Sequence, residues 1–141
     1  MKRKLLFFDI DGTLLSGGIS GFIPDSAIQA LKDAQKNGHY LFINSGRPYN
    51  FMPQAILDFP FDGYLCGCGT EIIFQGKSLY YHETPSELVH RIPALLRRTK
   101  VQAIFEGHNT YFYDDEVDVF DPIDRICTSY RSFPLENPVL T

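Results

Sequence analysis

The sequence predicts an α/β fold, a doubly wound parallel sheet over its first 66 residues, followed by a smaller region of helix and hairpins. Three observations predict it. Residues 4–8 (Lys-Leu-Leu-Phe-Phe) and 40–43 (Tyr-Leu-Phe-Ile) are continuous apolar runs, the pattern of strands covered on both faces. Between them Ala27, Ile28, Leu31 and Ala34 recur at helical spacing. Both apolar runs also end abruptly, in Asp9-Ile10-Asp11-Gly12 and in Asn44-Ser45-Gly46-Arg47. Alternating strands and helices imply right-handed crossovers, and ligands of such sheets bind where strands end.

The first strand is residues 4–8, stopped by Asp9. Gly12, Gly17, Gly18 and Gly21 then mark a turned or flexible segment. Residues 24–37 read as a helix, started by Pro24, Asp25 and Ser26 and stopped by Asn37-Gly38. Residues 40–43 are the second strand. A second helix opens at Pro48 and carries Phe51, Ala55, Ile56 and Leu57, with Pro53 limiting its first turn. Asp62-Gly63 reads as a turn into a third strand at residues 64–66.

Beyond Cys66 the pattern changes. Residues 71–74 and 78–81 flank Gln75-Gly76-Lys77 as a hairpin. Thr84-Pro85-Ser86-Glu87 reads as a capping box opening a helix to about Thr99, with Leu88, Ile92, Leu95 and Leu96 on one face and a kink at Pro93. Residues 101–105 and 110–113 read as a second hairpin around Gly107-His108-Asn109, and from Asp114 the chain is acidic and poorly periodic.

Composition narrows the function. The chain has 141 residues, 44% hydrophobic and 21% charged, enough for one compact core. Net charge is −4, and the densest basic cluster, Arg97, Arg98 and Lys100, suits a helix C-terminus rather than a nucleic-acid footprint. No stretch approaches the roughly 18 apolar residues of a membrane span. Met1-Lys2-Arg3-Lys4 is followed by too short an apolar run for a signal peptide, so a cytoplasmic location is expected. Cys66, Cys68 and Cys127 form no disulfide framework, and Cys66-x-Cys68 lacks zinc-site spacing; free core or turn thiols are expected.

The chemistry concentrates at the first two strand ends. Phosphoryl transfer to a carboxylate needs a fixed nucleophile, neutralised phosphate charge and an acid/base for the leaving group. Asp9 is placed by its strand, Asp11 follows two residues on, and Gly12 permits the sharp turn that sets Asp11 on the other side of the phosphoryl group. Two close carboxylates also favour a hard cation such as Mg²⁺, held by Asp9 and Asp11. Ser45, the amides of Ser45-Gly46-Arg47 and the next helix N-terminus form an anion site, to which Arg47 adds a bidentate contact to phosphate or carboxylate.

These residues carry a resemblance. Asp9-Ile-Asp-Gly-Thr-Leu14 resembles the first motif of the haloacid dehalogenase (HAD) superfamily phosphatases, and Asn44-Ser-Gly-Arg-Pro48 resembles the second. The Ser-Gly-Arg-Pro form is similar to the Cof-type branch, which inserts an α/β cap after the third strand. The resemblance implies a Rossmann-like core with Asp9 as nucleophile and metal ligand. It makes Asp11 the general acid/base, with its main-chain carbonyl also on Mg²⁺, and Ser45 a phosphate ligand. It places the family's mobile flap at residues 16–21, the N-terminal part of the core at residues 1–83 and the first part of the cap at residues 84–141. The implied activity is Mg²⁺-dependent hydrolysis of small phosphorylated metabolites through an aspartyl-phosphate. The alternatives are a phosphotransferase or phosphomutase with the same nucleophile, or a non-catalytic phosphate-binding fragment.

The family also implies a neutralising lysine and a second acidic motif of the form Gly-Asp. No Gly-Asp occurs in the chain. A substitute set exists on paper, Lys100 followed by an apolar run into Asp114-Asp115, but it has no crossover helix between lysine and strand. The expectation is therefore the N-terminal half of a larger protein, inactive alone.

Overall fold

The computed structural model describes residues 2–17, 21–101 and 103–108, together with the backbone of two later strands, Tyr111–Tyr113 and Tyr130–Ser132. The chain divides into two units, residues 1–82 and 83–141.

The first unit is a five-stranded sheet in sequential order, β1 (Leu5–Phe8), β2 (Tyr40–Asn44), β3 (Gly63–Cys66), β4 (Glu71–Phe74) and β5 (Lys77–Tyr81). β1, β2 and β3 are parallel, in the registers Phe8–Ile43 and Asn44–Leu65. This is the α/β sheet the apolar runs predict. The hairpin β4–β5 adds to it antiparallel, so the sheet is mixed. A two-residue turn joins that hairpin, with Gln75 at φ 49° and Gly76 at φ 74°. Left-handed values at both positions match the twist of the strands, so Lys77 belongs to β5 and not to the turn.

α1 (Asp25–Lys36) joins β1 to β2. It ends as Asn37-Gly38 predicts: Gly38 takes φ 80°, its N–H donates to the Gln35 carbonyl, and the His39 N–H donates to the Ala34 carbonyl. The second crossover departs from expectation. In place of one helix from Pro48 there is a 3₁₀ turn, Tyr49–Phe51, then Met52 and Pro53 in extended backbone and a single-turn α2 (Gln54–Leu57). The residue before a proline avoids helical backbone, so Pro53 restarts the helix rather than shortening it.

Both crossovers step the same way along the sheet, so α1 and α2 share one face. Leu31 and Ile56 pack there with Ile10, Leu14, Leu15, Leu41, Ile43 and Cys66. The opposite face carries an aromatic ladder: Phe7 meets Phe42 at 5.2 Å, and Phe42 meets Phe74 at 5.6 Å. Within the first unit, the described helices α1 and α2 cover only the other face.

The second unit contains α3 (Ser86–Thr99) and a separate three-stranded sheet, β6 (Ile104–Glu106), β7 (Tyr111–Tyr113) and β8 (Tyr130–Ser132). α3 starts at Ser86 after Pro85 without a side-chain cap, so the expected capping box does not form. Pro85 occupies the cap position itself, and the Leu88 and Val89 N–H groups donate to its carbonyl. The helix continues through Pro93. Val89 and Pro93 are its buried residues, whereas Leu88, Ile92 and Leu95 of the expected apolar face are exposed. β6 and β7 form the expected antiparallel hairpin, while β8, parallel to β7, was not legible in the weakly periodic segment.

Candidate active site

The parallel register sets the site. Phe8 pairs with Ile43, so Asp9 follows β1 beside Asn44, the last residue of β2, and the loops after them share one edge. Past Asp9 the chain winds round one buried carbonyl: the Thr13, Leu14 and Leu15 N–H groups all point to the Ile10 oxygen, at 3.2, 3.1 and 3.0 Å. Ile10 is fully buried and pins the turn to the core, while Gly12 takes φ 76° to make the reversal. Alternate residues thus face out. Asp9 and Asp11 are exposed, and the Thr13 hydroxyl donates to Asp9 Oδ2 at 3.1 Å.

The loop ends further on in a small hairpin, where Ser16 and Phe22 exchange backbone hydrogen bonds of 3.0 and 3.1 Å. Residues 18–20, the centre of the expected flap, lie outside the described residues.

After β2, Ser45 is buried and its N–H donates to the Leu65 carbonyl at 2.9 Å. Its Oγ accepts the Arg47 N–H at 3.2 Å. Of the three amides expected to form an anion site, two are therefore engaged within the protein. In this loop the Gly46 N–H and the Ser45 hydroxyl proton meet no acceptor among the described residues and can serve a ligand. No long helix follows to add its N-terminus, since the 3₁₀ turn and the four-residue α2 stand there.

Arg47 joins the two loops. Its Nε donates to Asp11 Oδ2 at 2.8 Å and its Nη2 to Asp11 Oδ1 at 2.7 Å, a bidentate pair across 36 positions of sequence. The guanidinium lies over the Phe51 ring at 5.3 Å and is mostly covered. Its hydrogen bonds hold the Asp11 carboxyl below the usual carboxylate range, against a smaller opposing effect of burial.

The turn after β3 supports this edge, a role the sequence reading did not assign. Gly67 N–H donates to the Arg47 carbonyl at 3.0 Å, and Cys68 N–H to the Ser45 carbonyl at 3.4 Å. Gly67, Cys68 and Gly69 all take positive φ, and the Cys68 Sγ lies against Gly46. Gly-Cys-Gly directly after a buried strand was the available signal. Thr13 was likewise missed as a partner of Asp9, although it lies inside the first motif. The cysteines are as expected: Cys66 is a buried free thiol and Cys68 an exposed one in the turn, while Cys127 lies outside the described residues.

Of the substitute catalytic set, only Lys100 and the apolar run before Asp114 are among the described residues. β7, the apolar run before Asp114, belongs to the three-stranded sheet and not to that of β1. Lys100 sits just past α3 in left-handed backbone, its N–H donating to the Arg97 carbonyl. Asp114 and Asp115 lie outside the described residues. Among the described residues, no three His, Cys, Asp or Glu side chains are grouped to hold a metal ion, and no helix is long and apolar enough to cross a membrane.

A carboxylate pair and a polar loop thus stand at the ends of adjacent parallel strands, where α/β proteins bind their ligands. Residues 6–137 match the family of haloacid dehalogenase-like hydrolases, and the chain belongs to that family. It is 26% identical over 132 residues to YkrA of Bacillus subtilis (strain 168), a protein named provisionally as a phosphatase; the match covers 92% of this chain and 51% of YkrA. Among solved structures, the HAD subclass IIB sugar phosphatase BT4131 is 29% identical with a TM-score of 0.72, over 92% of this chain and 52% of that one. A protein from Geobacillus kaustophilus HTA426 shares the fold with a TM-score of 0.81 at 22% identity, over 99% of this chain and 56% of its own. The chain thus spans about half the length of the relatives it matches.

Proposed function

We propose that this chain carries the nucleophile side of a Mg²⁺-dependent phosphatase of small phosphorylated metabolites. The observation that carries the reading is the Arg47–Asp11 pair: it joins the loop after β1 to the loop after β2, beside an exposed, threonine-held Asp9. Residues 1–83 are read as the N-terminal part of the catalytic core and residues 84–141 as the first part of a cap, in a protein of the cytoplasm.

In this reading the phosphoryl group lies between Asp9 and the Ser45–Arg47 loop, held by the Ser45 hydroxyl, the Gly46 N–H and the Arg47 guanidinium. The Thr13 hydroxyl orients Asp9 through Oδ2. Asp9 attacks phosphorus, the bond to the leaving oxygen breaks, and Asp11 gives that oxygen a proton. Water then attacks the aspartyl-phosphate, Asp11 takes back a proton, and inorganic phosphate departs with Asp9 restored. The oxygen ligands near Asp9 suit a hard cation: the Asp9 carboxylate and the Asp11 main-chain carbonyl would hold Mg²⁺. Mg²⁺ would supply charge neutralisation at the phosphoryl oxygens. The described residues supply only these two ligands, and the sequence has no Gly-Asp to add more.

The sugar phosphatase among the relatives supports a phosphorylated small metabolite as substrate. A phosphotransferase or phosphomutase would use the same nucleophile and differ in whether water reaches the intermediate. The test is turnover of p-nitrophenyl phosphate and a sugar phosphate panel with Mg²⁺, by the 141-residue chain and by a version extended to the length of its relatives. The extended protein is expected to be active and its Asp9→Asn variant inactive, with the short chain silent. Activity of the short chain that is lost in both Asp9→Asn and Asp115→Asn would instead make the acidic segment part of the site.

A further inference from the structure

Asp11 cannot serve a leaving group from where it stands. Both of its carboxylate oxygens are engaged, one by Nε and one by Nη2 of the same guanidinium. That edge of an arginine is also the one that takes two oxygens of a phosphate side-on. The two partners are unequally fixed. The Arg47 side chain is 14% exposed, lies over Phe51 and sits in a loop whose carbonyls accept from Gly67 and Cys68. The Asp11 side chain is 51% exposed and precedes Gly12, at φ 76°. If the pair opens, the carboxylate moves and the arginine stays.

We propose that Arg47 is a positioning residue for Asp11: its guanidinium parks the carboxylate while the anion site is empty, and an arriving phosphate takes over the fork and releases Asp11 toward the reacting oxygen. This rests on the reading of Asp11 as acid/base and of the Ser45–Arg47 loop as the phosphate site. It makes Asp11 and phosphate competitors for one group, so Asp11 should oppose phosphate binding through Arg47 and not merely through its charge.

The experiment is a double-mutant cycle read by calorimetric titration of the 141-residue chain with inorganic phosphate in the presence of Mg²⁺. Asp11→Ala is expected to tighten phosphate binding about fivefold when Arg47 is present, and to change it less than about twofold in the Arg47→Ala background. Asp11→Asn and Arg47→Lys, which keep side-chain volume, form a second cycle should an alanine variant fail to fold. The lysine keeps the charge without the fork and is expected to lose the coupling. Equal tightening in both backgrounds would mean simple charge repulsion, and weaker binding on removing Asp11 would mean that both groups hold phosphate together; either overturns the exchange. Ser45→Ala separates the two layers. If phosphate binds and Ser45→Ala weakens it while the cycle shows no coupling, only the exchange fails. If the wild-type chain binds no phosphate, the phosphate-site reading fails and the exchange with it.

Discussion

Phe42 and Phe74 lie on strands that are not neighbours, β2 and β4, yet their rings stack at 5.6 Å and 13°. The residue between them in register is Gly63, paired with Phe42 on one side and Phe74 on the other. A side chain on β3 at this point would separate the rings.

Gly63→Ala should therefore destabilise the first unit. An added Cβ would overlap the edge of the Phe42 ring at Cε1 and Cδ1 and lie 2.6 Å from the Ile73 carbonyl oxygen, and backbone on that side cannot retreat without breaking the β3–β4 ladder. Overpacking of this kind costs about 1–3 kcal/mol. Urea unfolding of the variant reads it as a lowered midpoint at unchanged slope; an unchanged midpoint would show that the ladder tolerates a methyl group.

Asp62 does more than start a turn. Its carboxylate Oδ2 accepts the Leu41 N–H at 2.8 Å, and its own N–H donates to the Leu41 carbonyl at 2.9 Å, so it locks β3 to β2 one residue before β3 begins. Asp62→Ala leaves the Leu41 amide without that acceptor. A hydrogen bond to a charged group contributes about 1.5–3 kcal/mol, and a loss of that size is expected in denaturant titration at neutral pH. Asp62→Asn, which keeps an acceptor, should recover part of it.

The two thiols of the first unit should behave oppositely. Burial first, and the Glu71 carboxylate second, push the Cys66 thiol from 9.0 up to about 12. The neutral form is thus favoured on folding, so its contribution is whole below pH 9 and is lost as pH rises from there toward 12. Tyr64 acts in the same sense, its phenol raised from 10.0 to about 12 by burial first and then by Tyr49 and Cys66. The melting temperature should fall above pH 9, and less steeply in Cys66→Ala. In a Cys127→Ser background, Cys68 should react with a disulfide reagent at once and Cys66 only on unfolding. Rapid reaction of both would contradict the burial of Cys66.

Gly67→Ala should weaken phosphate binding without touching a ligand. Gly67 takes φ 55°, and a Cβ there would collide with the Thr70 hydroxyl. Strain at such a position costs about 1–3 kcal/mol. The turn would shift, and the hydrogen bond from Gly67 to the Arg47 carbonyl with it. Calorimetry with inorganic phosphate is expected to show several-fold weaker binding, larger than any change in melting temperature implies. Unaltered affinity would show that the Ser45–Arg47 loop holds its shape alone.

The sequence by itself determined the parallel β1–β2–β3 frame, α1 and its glycine stop, both hairpins and the strand-end positions of Asp9 and Ser45. Each of these follows from local chemistry: unbroken apolar runs, helical spacing and turn residues with few alternative conformations. Tertiary structure alone decided the rest. Which face of α3 is buried depends on what packs against it, and Val89 and Pro93 took the place predicted for Leu88 and Ile92. The attachment of β4–β5 to the core sheet, and the place of β8 beside β7, are pairings between segments whose sequences do not name their partners. So too at the strand ends. A guanidinium binds carboxylate and phosphate with the same fork, and only the folded register brings Arg47 within 2.8 Å of Asp11, 36 positions away in sequence.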